Sequence, residues 1–175
     1  MGSGKSYYAD KIASFMGVPY IDLDAAIEQD QGRSITDIFA QQGEAEFRSI
    51  EARTLRDKVA FLSAQATASS SLVQQGNFTG LIACGGGTPC FHENMKWMNE
   101  HGLTVWINPP VDVLKRRLIT EKANRPLIAG LDDEAFDEFI ETQLQKRDRY
   151  YAQAAIQVND PGMPIEEIIK KIQHA

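Results

Sequence analysis

Short apolar runs alternate along the chain with stretches in which apolar residues recur every three or four positions. The runs at 18–22, 80–84, 103–108 and 155–159, each bounded by turn-forming or charged residues, predict β-strands. Between them the spacing predicts helices. The clearest covers 44–62, where Phe47, Ile50, Leu55 and Val59 share one face and charges fill the others. Residues 7–16, 111–119 and 165–172 have helical character as well. Ser34 followed by Asp37 predicts a capping box opening a short helix over 35–41, which stops near Gly43. Pro109 and Pro110 suit the first turn of the helix that follows them. Residues 63–80, rich in Ser, Ala, Gln and Thr, predict a helix end and then a surface loop.

Strands alternating with helices predict an α/β fold, because parallel strands need long crossovers and those crossovers are normally helical. A chain of 175 residues with 43% hydrophobic content supplies one core of ordinary size, so 1–175 is expected to form a single domain. The net charge of −6, with no Lys/Arg block interleaved with aromatics, argues against nucleic acid and for a small-molecule partner. No stretch reaches the length of a membrane span, and the first residues lack the basic-then-apolar pattern of a leader. A monomer in the cytoplasm, with no membrane partner, is expected. Cys84 and Cys90 have no partners at metal-ligand spacing and are expected to be free thiols.

The chemistry begins at the amino terminus. Gly2-Ser3-Gly4-Lys5-Ser6 matches the second half of the Walker A pattern, whose first glycine would precede residue 1. Such a loop turns backbone N–H groups toward phosphate oxygens at a helix N-terminus, where unpaired donors and the helix dipole favour negative charge. Lys5 would reach the β- and γ-phosphates of ATP, and the Ser6 hydroxyl would bind magnesium. Similar strings occur in flexible termini, but here a helical segment and a strand follow, the order a P-loop fold requires. The strand that should feed the loop has no match in these residues. Losing a central strand would cost more than the roughly 5–15 kcal/mol stability of a domain. A strand upstream of residue 1 is therefore expected.

Asp22 and Asp24 stand two apart at a predicted strand end and point the same way if the extended geometry persists. They suit a magnesium water and an acceptor hydroxyl, or are simply solvated acids. Gly85-Gly86-Gly87 follows a strand at the carboxyl end, where open α/β sheets bind ligands; a plain turn is the alternative. Arg48 and Arg147 have forks suited to a carboxylate, although a lone helical arginine is more often solvated. Arg116, Arg117 and Arg125 flank the polar stretch 120–124, which predicts a segment that closes over phosphates.

In order and spacing these residues resemble the shikimate kinase family. The match runs through Gly2–Ser6, Asp22-Leu23-Asp24, Gly32-Arg33-Ser34-Ile35, Gly43-Glu44 with Phe47-Arg48 and Glu51, Gly85–Gly87, Arg125-Pro126-Leu127 and Lys146-Arg147. The resemblance implies a three-layer, nucleoside-monophosphate-kinase-like fold with a parallel sheet in the order 2-3-1-4-5, strand 1 being the one without a match. It implies transfer of the ATP γ-phosphate to the 3-hydroxyl of shikimate, on the route to chorismate and the aromatic amino acids. On that basis Gly2, Ser3, Gly4, Lys5, Ser6 and Tyr7 cradle the nucleotide, and Ser6 and Asp22 hold Mg2+, Asp22 through water. Asp24 binds the shikimate hydroxyls and helps accept the proton. Arg48 and Arg147 hold the carboxylate, Gly85, Gly86 and Gly87 complete that pocket, and a substrate-binding helical region covers about 24–63. Arg125 belongs to a lid over about 117–130 and moves onto the phosphates, while Arg117 lies against adenine. The Asn159-Asp160-Pro161 turn is the nearest match to the second adenine loop. Tyr7 departs from the Thr common in the family, and 63–80 is longer than the usual connection. A gluconate-kinase-like P-loop enzyme, or a catalytically silent binding module, shares many of these features.

Overall fold

Along the chain the elements run α1 (Lys5–Met16), β1 (Tyr20–Asp22), α2 (Leu23–Gln31), α3 (Ile35–Ala68), β2 (Leu81–Ala83), a 3₁₀ turn (Thr88–Cys90), α4 (Asn94–His101), β3 (Val105–Ile107), α5 (Val111–Thr120), α6 (Asp133–Tyr151), β4 (Ile156–Val158) and α7 (Ile165–Gln173). The computed structural model describes residues 2–68, 78–120, 128 and 130–175, with side chains from 66 to 68 left aside. The centre of the expected lid, with Arg125, and residues 69–77 of the long connection lie outside the described residues.

Each strand sits inside its predicted apolar run. β1 pairs in parallel with β2, Ile21 opposite Ile82, and β3 pairs in parallel with β4, Trp106 opposite Gln157. Helices make every crossover, as parallel pairing demands. Among the described residues the two pairs are not hydrogen-bonded to each other. Leu81, Ile82 and Ala83 of β2 and Val105, Trp106 and Ile107 of β3 instead line one cleft of about 1340 Å³. In the order 2-3-1-4-5 that is the place of strand 1, and no described residue fills it. The cleft therefore has two parts, an apolar slot between strands and a polar mouth at their carboxyl ends.

The predicted helices bury the faces their periodicity gives, and α2 and α6, which the spacing does not reveal, pack against them. In α7, Ile168, Ile169 and Ile172 pack with Tyr8 and Ile12 of α1 and with Ile156 and Val158. Leu23 and Ile27 of α2 pack on Ile38, Phe47, Ile50 and Leu55 of α3. A third cluster joins Leu118 of α5 and Ile128 to Phe136 and Ile140 of α6. Gly43 interrupts α3 with φ 79°, a left-handed conformation that glycine adopts at little cost, so the short helix and the long one are two segments at an angle.

One local expectation needs correction. The Asp37 N–H donates to Ser34 Oγ at 3.0 Å, but the Asp37 carboxylate takes the Ser34 hydroxyl at 2.6 Å rather than the Ser34 N–H, so only half of a capping box forms. Pro109 and Pro110 precede α5 as expected, and the Pro110 carbonyl accepts its opening bond from Leu114 N at 3.1 Å.

Candidate active site

The glycine loop is shaped by two left-handed residues, Gly2 at φ 66° and Gly4 at φ 86°, the second being the N-cap of α1. A Cβ on Gly2 would lie 3.0 Å from the Leu118 side chain, so the space there is tight as well. The first bond of α1 is Tyr8 N to the Gly4 carbonyl at 3.1 Å, which leaves the N–H groups of Lys5, Ser6 and Tyr7 without helical acceptors. From α5, Arg117 Nη1 donates to the carbonyls of Ser3 at 3.1 Å and Gly2 at 3.4 Å. By binding the loop's carbonyls it leaves the loop's N–H groups to a ligand. Tyr7 is 62% exposed, with its ring edge against Tyr8, so its contribution to a cradle is its main chain.

Next to the cradle, Lys5 Nζ lies 3.4 Å from Asp22 Oδ2, and the Ser6 hydroxyl donates to the same oxygen at 3.2 Å. The extended geometry expected through Asp24 does not persist. β1 ends at Asp22, which caps α2 by accepting from Asp24 N at 3.0 Å and Ala25 N at 3.4 Å. Asp24 thus stands in the first turn of a helix, and its Oδ1 faces Gly85, where a Cβ would come within 3.1 Å.

The two acids are driven apart electrostatically. Burial alone would raise Asp22, but the Lys5 ammonium and the bonds from Ala25 N–H, Ser6 and Lys5 outweigh it and hold the carboxyl below its ordinary value. Asp24 is pushed up, first by burial and then by the negative charges of Asp22, Glu51 and Glu28, with Lys5 opposing. One is a firm anion facing the lysine. The other is a more basic carboxylate facing the glycine turn, the property wanted of a proton acceptor.

Gly85–Gly87 leave β2 at its carboxyl end and pass directly against Asp24 and Arg48. A Cβ on Gly87 would sit 2.5 Å from Arg48 Nη2. Arg48 pairs with buried Glu51 at 2.8 Å and exposed Glu44 at 3.1 Å, and its guanidinium lies over the Phe91 ring at 4.4 Å. The Tyr151 hydroxyl donates to the Gly86 carbonyl and fixes the turn to α6. Arg147, one helical turn earlier, lines the same mouth and has no ion pair among the described residues. Lys5, Ser6, Asp22, Asp24, Arg48, the glycine turn and Arg147 therefore come together.

Glu51, Thr88, Asn94 and Tyr151 are site-supporting residues to which the sequence assigns no role. Only Glu51 carries a signal, an acid three positions after Arg48 beside the apolar stripe of a helix. Cys84 and Cys90 are free thiols, and burial beside Glu51 pushes Cys84 up to about 12.

This is the layout of a P-loop kinase for small molecules, in which a helix N-terminus takes the phosphates and the adjoining pocket takes the alcohol. The model of the family described as shikimate kinase matches residues 1–175, and the chain belongs to the shikimate kinase family. It is 34% identical over 177 residues to the shikimate kinase of Bacteroides thetaiotaomicron, covering 99% of this chain and 92% of that protein. The Parabacteroides distasonis shikimate kinase is also 34% identical, over 175 residues, with 100% and 92% covered. The crystal structure of the Bacteroides thetaiotaomicron enzyme superposes with a TM-score of 0.82 over 99% of this chain and 92% of that one. The Acinetobacter baumannii shikimate kinase, solved in complex with shikimate, gives 0.76 at 25% identity, covering 98% and 86%. The chain is accordingly an ATP-dependent kinase of the P-loop fold. Among the described residues no helix is long and apolar enough to cross a membrane.

Proposed function

We propose that this protein transfers the γ-phosphoryl group of ATP to the 3-hydroxyl of shikimate, with Lys5, Ser6 and Asp22 on the nucleotide side and Asp24, Arg48, Arg147 and Gly85–Gly87 on the acceptor side. The observation that carries this reading is the contact of one glycine turn with both Asp24 and Arg48, while Lys5 lies on Asp22 two residues from Asp24. Acceptor and phosphate donor are thereby held at adjoining positions, and positioning is most of what phosphoryl transfer asks of a protein.

Ser6 Oγ and Asp22 Oδ2, 3.2 Å apart, form a hard oxygen pair that fits magnesium. When bound, that ion neutralises charge on the β- and γ-phosphates. Lys5 adds a positive charge at the same oxygens. Asp24, the more basic acid, orients the attacking hydroxyl and takes its proton. Arg48 and Arg147 hold the carboxylate of the acceptor, which fixes the ring so that one hydroxyl faces the donor. Arg117 braces the cradle beside the nucleotide, and the role of Arg125 at the transferring phosphate rests on the family resemblance alone, since it lies outside the described residues. The net charge of −6 supports a small substrate rather than nucleic acid.

A coupled ADP-release assay with shikimate, quinate and gluconate tests the assignment. ADP release should depend on shikimate; turnover of gluconate in preference, or shikimate binding without ADP release, would sink it. In the same assay Lys5→Ala should lose about 2.7–4 kcal/mol of transition-state stabilisation, a hundredfold or more in rate. An undiminished rate in that variant would remove Lys5 from the chemistry.

A further inference from the structure

Behind Arg48 runs a chain of buried polar side chains that extends well past the substrate pocket. Arg48 Nη1 donates to Glu51 Oε2 at 2.8 Å, and the Thr88 hydroxyl donates to Glu51 Oε1 at 2.6 Å. The Thr88 carbonyl accepts from Asn94 Nδ2 at 2.9 Å, and Asn94 Oδ1 accepts from Arg56 Nη1 at 2.9 Å. Thr88 and Asn94 are both fully buried, and Glu51 is 1% exposed. Arg56 also donates to the Ala52 and His92 carbonyls and lies 4.9 Å over the Trp97 ring. The chain thus ties α3, the turn after the glycines and the start of α4 into one unit.

The backbone is bent to make this possible. His92 and Glu93 adopt φ of 50° and 54°, the two non-glycine residues with positive φ among those described, and they immediately precede Asn94. Consecutive left-handed residues are unfavourable for ordinary side chains and persist only where the surroundings over-determine them. Here the surroundings are the Arg56 bond to the His92 carbonyl and the Asn94 bonds to Arg56 and Thr88.

We propose that Thr88 and Asn94 are positioning residues for acceptor recognition: through Glu51 they fix the Arg48 guanidinium against Gly87 and so set the affinity for the acceptor's carboxylate. This rests on the assignment of Arg48 as a carboxylate clamp. The Glu51 carboxylate has one oxygen on Arg48 and the other on Thr88, in surroundings nearly closed to water. Removing the Thr88 hydroxyl leaves that second oxygen short of a donor, and the cation already paired with the other oxygen is Arg48, whose Nη2 now meets Glu44 and faces Gly87. The guanidinium is then drawn toward Glu51 and away from the substrate. The path adjoins Asp24 at Gly85, where a Cβ would lie 3.1 Å from Asp24 Oδ1 and 3.2 Å from both Glu51 Oε1 and Thr88 Oγ1, but it makes no hydrogen bond to Lys5, Ser6 or the glycine cradle, so the KM for ATP is unaffected.

The test compares Thr88→Val, which keeps shape and removes the hydroxyl, with Thr88→Ser, which keeps the hydroxyl. Each is assayed with shikimate and with an analogue bearing a hydroxymethyl group in place of the carboxylate. Thr88→Val should raise the KM for shikimate by about tenfold, leave the KM for ATP unchanged and leave the KM for the analogue unchanged. Thr88→Ser should behave as wild type. Equal loss with both acceptors, a fall confined to kcat, or no recovery in Thr88→Ser would overturn the proposal. Arg48→Met is run alongside. If it fails to separate the two acceptors, the clamp assignment itself is wrong; if it separates them and Thr88→Val does not, only the positioning role falls. Should Thr88→Val not fold, Glu51→Gln, which keeps the shape and weakens the hold on Arg48, decides by the same acceptor-selective rise in KM.

Discussion

Asp24→Asn should turn shikimate over at least about a hundredfold more slowly than wild type, with the KM for ATP unchanged. Asparagine keeps the size of the side chain and its place in the first turn of α2 but cannot take a proton. The pH profile separates this from a general defect. Burial and the charges of Asp22, Glu51 and Glu28 hold Asp24 above the 3.8 of an unperturbed aspartate. Because the carboxyl must be ionised to act, wild-type kcat/KM should fall as pH drops through a value above 3.8, and Asp24→Asn should lack that limb. The sign for stability is the reverse. A carboxyl raised in the folded state contributes stability below its unfolded pKa and loses it as pH rises through the folded value. At neutral pH the ionised Asp24 is a burden on the fold, so Asp24→Asn should melt no lower than wild type. Asp22, held low chiefly by Lys5, contributes above its unfolded pKa and loses that contribution as pH falls through its lower folded value. Asp22→Asn should therefore melt lower at neutral pH. Differential scanning calorimetry at pH 7, with a pH series of initial rates, checks all of this. An Asp24→Asn enzyme with wild-type turnover would remove the carboxylate from the mechanism.

What the chain discloses before folding is governed by how local the determining interactions are. β1 to β4 are legible because short apolar runs bounded by turn residues have few other uses in an α/β chain, although only three residues of each run have ladder partners. The break at Gly43 is legible because a left-handed residue is a local event. α2 is obscured by its own cap. Asp22 ends the strand and opens the helix, so the acid pair looks like a strand continuation until the Asp24 and Ala25 N–H groups are seen on Asp22 Oδ1. α6 has a side-chain cap of its own, Asp132 accepting from Ala135 N at 2.8 Å, with Phe136 and Ile140 one turn apart, but its many charges mask the stripe.

The nucleotide half of the site is legible for the same reason, since Gly2–Ser6 form one contiguous turn. The acceptor half is legible only as a set of residue types. Its geometry depends on three segments distant in sequence, α3, the turn after β2 and the end of α6, meeting at one mouth. Thr88 and Asn94 give no sequence signal at all. Their roles depend on two consecutive residues, His92 and Glu93, turning left-handed, and glutamate carries no local preference for that.

Gly87→Ala should raise the KM for shikimate by about tenfold to a hundredfold and leave the KM for ATP unchanged. The backbone itself tolerates alanine, because Gly87 has φ −90° and ψ −21°, ordinary values for any L residue. The added Cβ is what matters, lying 2.5 Å from Arg48 Nη2, 2.6 Å from Nη1 and 2.7 Å from Cζ. A long side chain normally yields to such a methyl group at small cost. Arg48 is not free to yield, since Glu51 stands 2.8 Å behind it and is itself held by Thr88. If the guanidinium swings out toward Glu44, Glu51 is left buried without its cation, and breaking a buried pair in that way costs about 3–5 kcal/mol. For a domain of this size that corresponds to a fall in melting temperature on the order of 10 °C. The control is Gly102→Ala, at an extended residue whose nearest contact is the Met98 carbonyl at 3.9 Å, which should change neither quantity. If Gly87→Ala keeps both its melting temperature and its KM for shikimate, Arg48 is not wedged against the glycine turn, and the carboxylate clamp must be sought at Arg147 alone.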